Sequence, residues 1–220
     1  GGMSKERPII FSAPMVRAIL EGRKSMTRRI VKADWLDDSW WQIQPKDGWH
    51  AVFMTEVPYG MERGLVCPYG SPGDRLWVRE KFDFSPCGMT ECEIFYWADG
   101  SSQKRTPPND YNPYLYPNER VRPSIHMPRW ASRITLEITG VRVERVQEIS
   151  EEDVEREGVF NRSGMHDWDC ENLGYSGNET CACGAYSPQE TFARLWESIH
   201  GPGSWELNPY VWAISFKVVP

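Results

Sequence analysis

The sequence predicts a single α+β domain over residues 3–220, built as a small, mostly antiparallel β-barrel with short flanking helices and two loop insertions. Its 220 residues are the length of one domain. Gly contributes 18 residues and Pro 17, which is too many for a helical bundle. Strand patterns outnumber helical patterns, and the two do not alternate as they do in a βαβ protein.

The first elements are a strand, a helix and a second strand. The apolar residues 8–11 predict a short strand, and Ser12 follows as a candidate helix cap. Apolar residues then recur at helical spacing until Gly22, which is placed to end the helix in a left-handed conformation. A basic loop leads from there to a predicted strand at 27–31.

The middle of the chain alternates loops with strands. Residues 34–66 have no sustained period and are interpreted as an insertion. Residues 75–82 and 94–97 have strand patterns, whereas 101–120 are rich in Pro, Asn and Tyr and predict a loop. The clearest strand lies at 134–146, where Ile and Leu alternate with Thr and Glu.

Two capped helices and a final strand complete the pattern. Ser150 begins a short acidic helix that Gly158 ends, and a Gly-rich and Cys-rich insertion follows at 161–186. Ser187 begins the second helix in the order cap, Pro, then acid at the third position. Residues 210–219 alternate strongly apolar with weaker positions and predict the last strand.

Composition limits the class of protein. The mean hydropathy is negative and no long apolar run exists, so we expect neither a membrane span nor a secretory signal. We therefore expect a soluble, intracellular protein with reduced cysteines. Gly1 and Gly2, which precede Met3, are interpreted as residues left by an expression vector.

Charge is segregated along the chain, although the net charge is −6. Residues 1–33 contain eight basic and two acidic residues, and residues 101–146 contain eight and four. If both segments meet on one face, they form a local anion site suited to a phosphate-bearing ligand. The alternative is that these are simply solvated faces.

The basic loop combines cations with hydroxyls. In an extended strand Thr27 and Arg29 share one face, and Arg28 points the other way. A desolvated Lys24 near Thr27 can lose its proton and act as a base that activates the hydroxyl, with Arg29 holding an anion or a carbonyl oxygen. The alternative is a basic loop that binds phosphate or nothing.

These residues resemble a known family. The pattern Gly22-x-Lys24-x-x-x-x-Arg29, followed by the stretch at 72–76, resembles the activating signal cointegrator homology (ASCH) domain of the PUA-like superfamily. The stretch at 122–130 and the closing residues 205–216 are similar to ASCH-type proteins of bacteriophages and prophages. The resemblance implies a PUA-like fold and the cytoplasm of a bacterial host cell.

The resemblance also implies a site. One small branch of the family consists of amidohydrolases that remove the acetyl group from N4-acetylcytidine, and their Lys, Thr and Glu fall on Lys24, Thr27 and Glu157. Those enzymes are about half as long and lack the 122–130 and 161–186 segments, so substrate identity does not carry over. The related PUA domains bind RNA, which leaves a non-catalytic RNA-binding or modified-DNA-binding module as the alternative.

Glu157 also has an interpretation from its position alone. It follows a short acidic helix at the C-terminal end, where the helix macrodipole disfavours a carboxylate. A compensating cation is therefore expected, and Lys24 or Arg29 could be that cation. The alternative is a solvated acid among several others.

A second basic and aromatic group lies further along the chain. Arg residues fork onto phosphate and a Trp ring stacks on a base, so the set predicts a phosphate-plus-base ligand. The alternative is a Pro-bounded loop that covers one end of the barrel and buries the Trp. The candidate binding residues are Arg122, His126, Arg129 and Trp130.

The second insertion contains four soft metal ligands. The spacing H-x3-C-x10-C-x-C could hold a structural zinc ion in a loop too polar to form its own core. It lacks the paired C-x2-C knuckles of a typical zinc site, so reduced thiols are the alternative. The candidate ligands are His166, Cys170, Cys181 and Cys183.

Taken together, the sequence predicts a monomer that binds a nucleoside, a nucleotide or nucleic acid and requires no cofactor. The favoured activity is deacylation of an N4-acylated cytidine by Lys24 as base, Thr27 as nucleophile and Glu157 as proton shuttle.

Overall fold

The computed structural model describes residues 4–37, 40–43, 50–55, 61–86, 91–109, 122–159 and 187–220. Contacts between residues divide the chain into two compact units. The first unit comprises residues 1–22, 74–137 and 217–220, and the second comprises 23–73 and 138–216. The prediction of one domain stays a prediction, and each unit is described by itself.

Strands predominate in the part of the chain that the structure describes. The strands are β1 (Glu6–Ile10), β2 (Met26–Ile30), β3 (Trp40–Ile43), β4 (Ala51–Thr55), β5 (Glu62–Leu65), β6 (Arg75–Arg79), β7 (Phe82–Pro86), β8 (Cys92–Tyr96), β9 (Ser101–Arg105), β10 (Thr135–Arg145) and β11 (Tyr210–Val219). The α-helices are α1 (Ala13–Leu20), α2 (Glu151–Arg156) and α3 (Pro188–His200). Single 3-10 turns occur at Ser124–His126, Arg129–Ala131 and Val146–Glu148.

The first unit contains two groups of paired strands. β6 lies between β1, which is parallel to it, and the first residues of β10, which are antiparallel. The sheet β7-β8-β9 is antiparallel throughout. Its inner face forms a core with the two 3-10 turns that follow Arg122; the buried residues are Phe82, Phe84, Cys92, Ile94, Tyr96, Met127 and Ala131.

The second unit positions the residues of the predicted hydrolase site. β11 pairs with β2 in antiparallel register, and β3-β4-β5 form a separate antiparallel sheet. In α2, the Ser150 hydroxyl accepts from the Asp153 backbone N–H. In α3, Ser187 and Glu190 form both hydrogen bonds of a capping box.

The α+β class with mostly antiparallel strands and few helices is confirmed, but the closed barrel is wrong. Among the described residues, each sheet ends in edge strands and none closes on itself. Of the strand pairs whose register is described, only β1 and β6 run parallel.

Several elements differ from the sequence-based prediction. Residues 34–66, expected to be a loop, contain β3, β4 and β5, and β9 begins the predicted loop at 101–120. The predicted strand at 75–82 is two strands, because the chain leaves β6 after Arg79 and enters another sheet at Phe82. Ser12 precedes α1 as expected, but its side chain makes no capping hydrogen bond.

Candidate functional site

Lys24 lies in the turn before β2 and is buried, with its side chain fully covered. Its ammonium donates to Glu157 Oε2 at 2.6 Å and to the Glu157 backbone carbonyl at 2.8 Å. The backbone reinforces this contact, because the Ser25 N–H donates to the Arg156 carbonyl at 2.8 Å. Lys24 and Glu157 therefore meet, although they are 133 positions apart in the sequence. None of the described hydrogen bonds joins Thr27 to either of them, so the predicted three-residue cluster stays a prediction.

Glu157 caps the C-terminal end of α2 and is also buried. The macrodipole of α2 places partial negative charge at this end, so a carboxylate there needs nearby cations. Lys24 supplies one, as expected. Arg28 supplies a second by donating from Nη1 to Glu157 Oε1 at 3.1 Å.

Burial is the largest influence on the Lys24 ammonium. Burial lowers the pKa of Lys24 from its usual value of 10.5, because the protein interior disfavours the charged form. The Glu157 carboxylate opposes this effect, while the positive charges of Arg29 and Arg28 add to it. The net direction is downward, which makes the neutral amine more accessible than in a solvated lysine.

Thr27 and Arg29 lie on the face of β2 opposite Arg28. In the β2–β11 register Thr27 is paired with Ile214 and Arg29 with Trp212, and paired residues point to the same face. Thr27 is 3% exposed and Arg29 is partly buried. Burial lowers the pKa of Arg29, against the charges of Tyr69 and Glu157.

Arg28 is the functional candidate that the sequence reasoning missed. Its side chain is almost fully buried, yet it contacts carboxylates from both β10 and α2. Nε and Nη2 donate to Glu144 Oε1 at 2.9 and 2.5 Å, and Nη2 also donates to Asp153 Oδ2 at 2.8 Å. Strand alternation gave the correct face, but no local pattern indicated these distant acids.

The second predicted set, around residues 122–130, belongs to the first unit. Arg129 donates to Glu6 at 2.9 Å, and the guanidinium of Arg122 lies 4.1 Å from the centre of the Phe84 ring. Trp130 packs against the core of the β7-β8-β9 sheet, with its ring 6.5 Å from Phe84. His126 is exposed in a 3-10 turn.

Trp130 also lines an open groove of about 580 Å³ in the first unit. Lys104 and Arg105 bring two positive charges to this groove, and Arg105 donates to the Trp130 carbonyl at 3.3 Å. The sequence reasoning missed both residues because it assigned residues 101–120 to a loop. The basic composition of 101–146 was the signal that could have identified them. The groove residues are Gln103, Lys104, Arg105, Thr106 and Trp130.

The predicted zinc ligands His166, Cys170, Cys181 and Cys183 lie outside the described residues. Within the described ranges, no group of three or more His, Cys, Asp or Glu side chains is arranged to hold a metal ion. Cys67 and Cys92, which are described, are both buried.

None of the described helices is both long and apolar enough to cross a membrane. The chain matches no protein-family model, and comparison with curated proteins and with solved structures finds no match.

Proposed function

We propose that this chain is an ASCH-type amidohydrolase of PUA-like fold that removes the acyl group from an N4-acylated cytidine. The observation that supports the proposal is the buried contact of 2.6 Å between the Lys24 ammonium and the Glu157 carboxylate. Lys24 precedes Thr27 by three residues in the sequence. A lysine with a lowered pKa and a carboxylate at hydrogen-bond distance is a suitable base and proton carrier for a threonine hydroxyl.

The proposed reaction has two steps. The neutral Lys24 amine takes the proton of the Thr27 hydroxyl, whose oxygen attacks the acyl carbonyl carbon. The bond from that carbon to N4 breaks, N4 receives the proton through Lys24 and Glu157, and cytidine leaves. Water, deprotonated by the same pair, then cleaves the acyl-threonine ester, which releases the carboxylic acid and restores the Thr27 hydroxyl.

Arg29 is the proposed substrate-binding cation. It shares the Thr27 face of β2, and two positions separate the residues along the strand. Its guanidinium presents several fixed donors, which suit the acyl oxygen as negative charge develops on it. Trp212, the cross-strand partner of Arg29, is buried on the same face.

The test is release of cytidine from N4-acetylcytidine, followed by chromatography, with Thr27→Val compared with Thr55→Val. Both changes remove a hydroxyl from a buried strand threonine of the second unit while keeping its shape. We expect Thr27→Val to lower kcat/KM by at least about 10³-fold, as removal of a nucleophile does. Thr55→Val should stay within a few-fold of wild type. Equal activity in both variants would exclude Thr27 as the nucleophile.

The open groove of the first unit favours a second function, the binding of single-stranded nucleic acid. Lys104 and Arg105 suit phosphates, and Trp130 offers an aromatic ring beside them. This function needs no chemistry at Lys24. It depends instead on Lys104, Arg105 and Trp130.

The binding function is tested by measuring the affinity for a fluorescent single-stranded oligonucleotide across a salt series. Lys104→Gln should weaken binding and reduce the slope of log K against log salt by about 0.7, the value for one lost phosphate contact. Lys81→Gln is the matched control, since Lys81 lies over the Trp97 ring and does not line the groove. Identical slopes of log K against log salt in wild type and Lys104→Gln would show that the groove does not bind the nucleic acid.

A further inference from the structure

Arg28 occupies a position where a long cation is costly unless it is paired. It is 4% exposed and lies opposite Ala213 of β11, on the face of β2 that does not carry Thr27. A buried charge of this kind persists only with good geometry and compensating partners. Its partners therefore indicate what it does.

The guanidinium contacts three carboxylates that come from two different elements. Glu144 belongs to β10, whereas Asp153 and Glu157 belong to the α2 segment. The planar guanidinium holds its donors in a fixed fork, so these contacts fix the direction in which each carboxylate faces. The Phe192 ring of α3 lies 5.8 Å from the guanidinium carbon and limits its movement.

Glu157 is shared between two cations by its two oxygens. Oε1 accepts from Arg28 at 3.1 Å, and Oε2 accepts from Lys24 at 2.6 Å. The negative charge of Glu157 is therefore shared between Arg28 and Lys24, and Arg28 fixes one of the two carboxylate oxygens.

Among the described residues, the charges with the largest influence on the pKa of Lys24 are those of Glu157, Arg29 and Arg28. Arg28 acts on Lys24 in two ways. Its positive charge repels the protonated amine directly, and it draws on the negative charge of Glu157 that would otherwise stabilise that amine alone. Loss of Arg28 therefore favours protonation of Lys24.

The remaining charges of the cluster act on Arg28 and its acids. Arg142 pairs with Glu144 and Asp153, and Arg156 pairs with Asp153 at 3.5 Å. Neither has a contact with Glu157 among the described ion pairs, so they serve as reference positions.

We propose that Arg28 is a positioning residue of this site, which fixes one oxygen of the Glu157 carboxylate, shares its negative charge with Lys24 and so favours the neutral Lys24 amine. The inference rests on the proposed function for its catalytic meaning. Its effect on Lys24 is independent of turnover and can be measured without substrate.

The experiment titrates Lys24 by NMR in protein labelled with ¹³C-lysine, with the signal assigned by its loss in Lys24→Met. We expect Arg28→Gln to raise the pH at which Lys24 titrates by about one unit or more, the size typical of one nearby charge. Arg142→Gln removes a cation from the same cluster and should leave that pH nearly unchanged. If wild type hydrolyses N4-acetylcytidine, the pH at which kcat/KM rises should increase by the same amount in Arg28→Gln. It should stay nearly unchanged in Arg142→Gln.

The outcomes separate the two proposals. An unchanged or lowered pH of Lys24 titration in folded Arg28→Gln overturns the positioning role, whatever the turnover. A raised titration supports that role, and if wild-type turnover is absent it is the proposed function that fails. If Arg28→Gln does not fold, the charge-balanced variant Arg28→Gln with Glu144→Gln is titrated instead, since it leaves every remaining acid of the cluster with a cation. An unchanged or lowered pH of titration there overturns the role in the same way.

Discussion

Glu157 shows how far reasoning from single residues extends. The end of an acidic helix is an unfavourable place for a carboxylate, so the sequence indicated that a cation must lie nearby. Lys24 fulfils that expectation. Arg28 was beyond the same reasoning, because its acids come from β10 and α2 and only the folded chain brings them together. The alternation rule predicts which face a strand residue occupies, and it says nothing about what covers that face.

The buried pair makes a pH-dependent prediction for Glu157→Gln. The variant keeps an oxygen for Lys24 but removes the negative charge, so we expect about 3–5 kcal/mol of destabilisation at pH 6. The folded pKa of Lys24 already lies below 10.5 and should fall further. A depressed pKa gives stability that is present above the unfolded value and is lost as the pH falls through the folded value. The destabilisation should therefore shrink between pH 6 and pH 10.

Urea denaturation at both pH values measures this change. The double variant Lys24→Met with Glu157→Gln lacks the titrating amine. Its deficit in the free energy of unfolding relative to wild type should therefore not shrink in the same way between pH 6 and pH 10. A deficit of equal size at pH 6 and pH 10 in Glu157→Gln would mean that the substitution does not lower the folded pKa of Lys24.

Capped helices were easier to predict than short strands. The Ser150 and Ser187 caps were recognisable because a cap, its acid and the following apolar positions are all close in sequence. The strands within 34–66 are only four or five residues long, and each is specified by its pairing with another strand. Their local packing also depends on distant partners, since Arg63 of β5 lies over the rings of Trp35 and Trp40.

The difference between two helix starts gives a prediction for the helices. Ser187 makes a reciprocal capping box in α3, whereas the Ser12 side chain makes no capping hydrogen bond to α1. Replacing Ser187 with Ala should lower the free energy of unfolding by about 1 kcal/mol, the usual loss for a cap. Ser12→Ala should change it by a few tenths of a kcal/mol at most. Urea midpoints of the two variants, measured side by side, provide the comparison, and equal losses would contradict it.

Across the whole molecule, folding pairs charges that the sequence keeps apart. In the second unit, cations of the basic N-terminal segment meet acids of β10 and the α2 segment. In the first unit, Arg133 contacts both Glu80 and Asp99. The segregation of charge predicted a local anion site formed by the basic segments. It overstated the positive charge left for a ligand, because composition cannot show which cations are neutralised internally.

The Arg133 cluster predicts how the chain responds to acid. Burial alone would raise the pKa of Asp99, but hydrogen bonds from Arg133 and Ser101 outweigh it and lower that pKa from 3.8 to about 2. A carboxyl with a depressed pKa contributes stability above its unfolded value, and this contribution is lost as the pH falls through the folded value. The Asp99 contribution should therefore disappear between about pH 4 and pH 2.

Asp99→Asn tests this response because the amide keeps an oxygen for Ser101 and cannot titrate. The free energy of unfolding of wild type should fall more than that of Asp99→Asn over this window, by no more than about 1 kcal/mol, since Asp99 is exposed and its ion pair is screened by solvent. Glu80 acts in the opposite sense: burial raises its pKa, against its hydrogen bond to Arg133, so its contribution is lost as the pH rises. The comparison with Asp99→Asn isolates the Asp99 part, because Glu80 is present in both proteins. Parallel stability curves between pH 4 and pH 2 would show that the Arg133 contact does not hold Asp99 ionised.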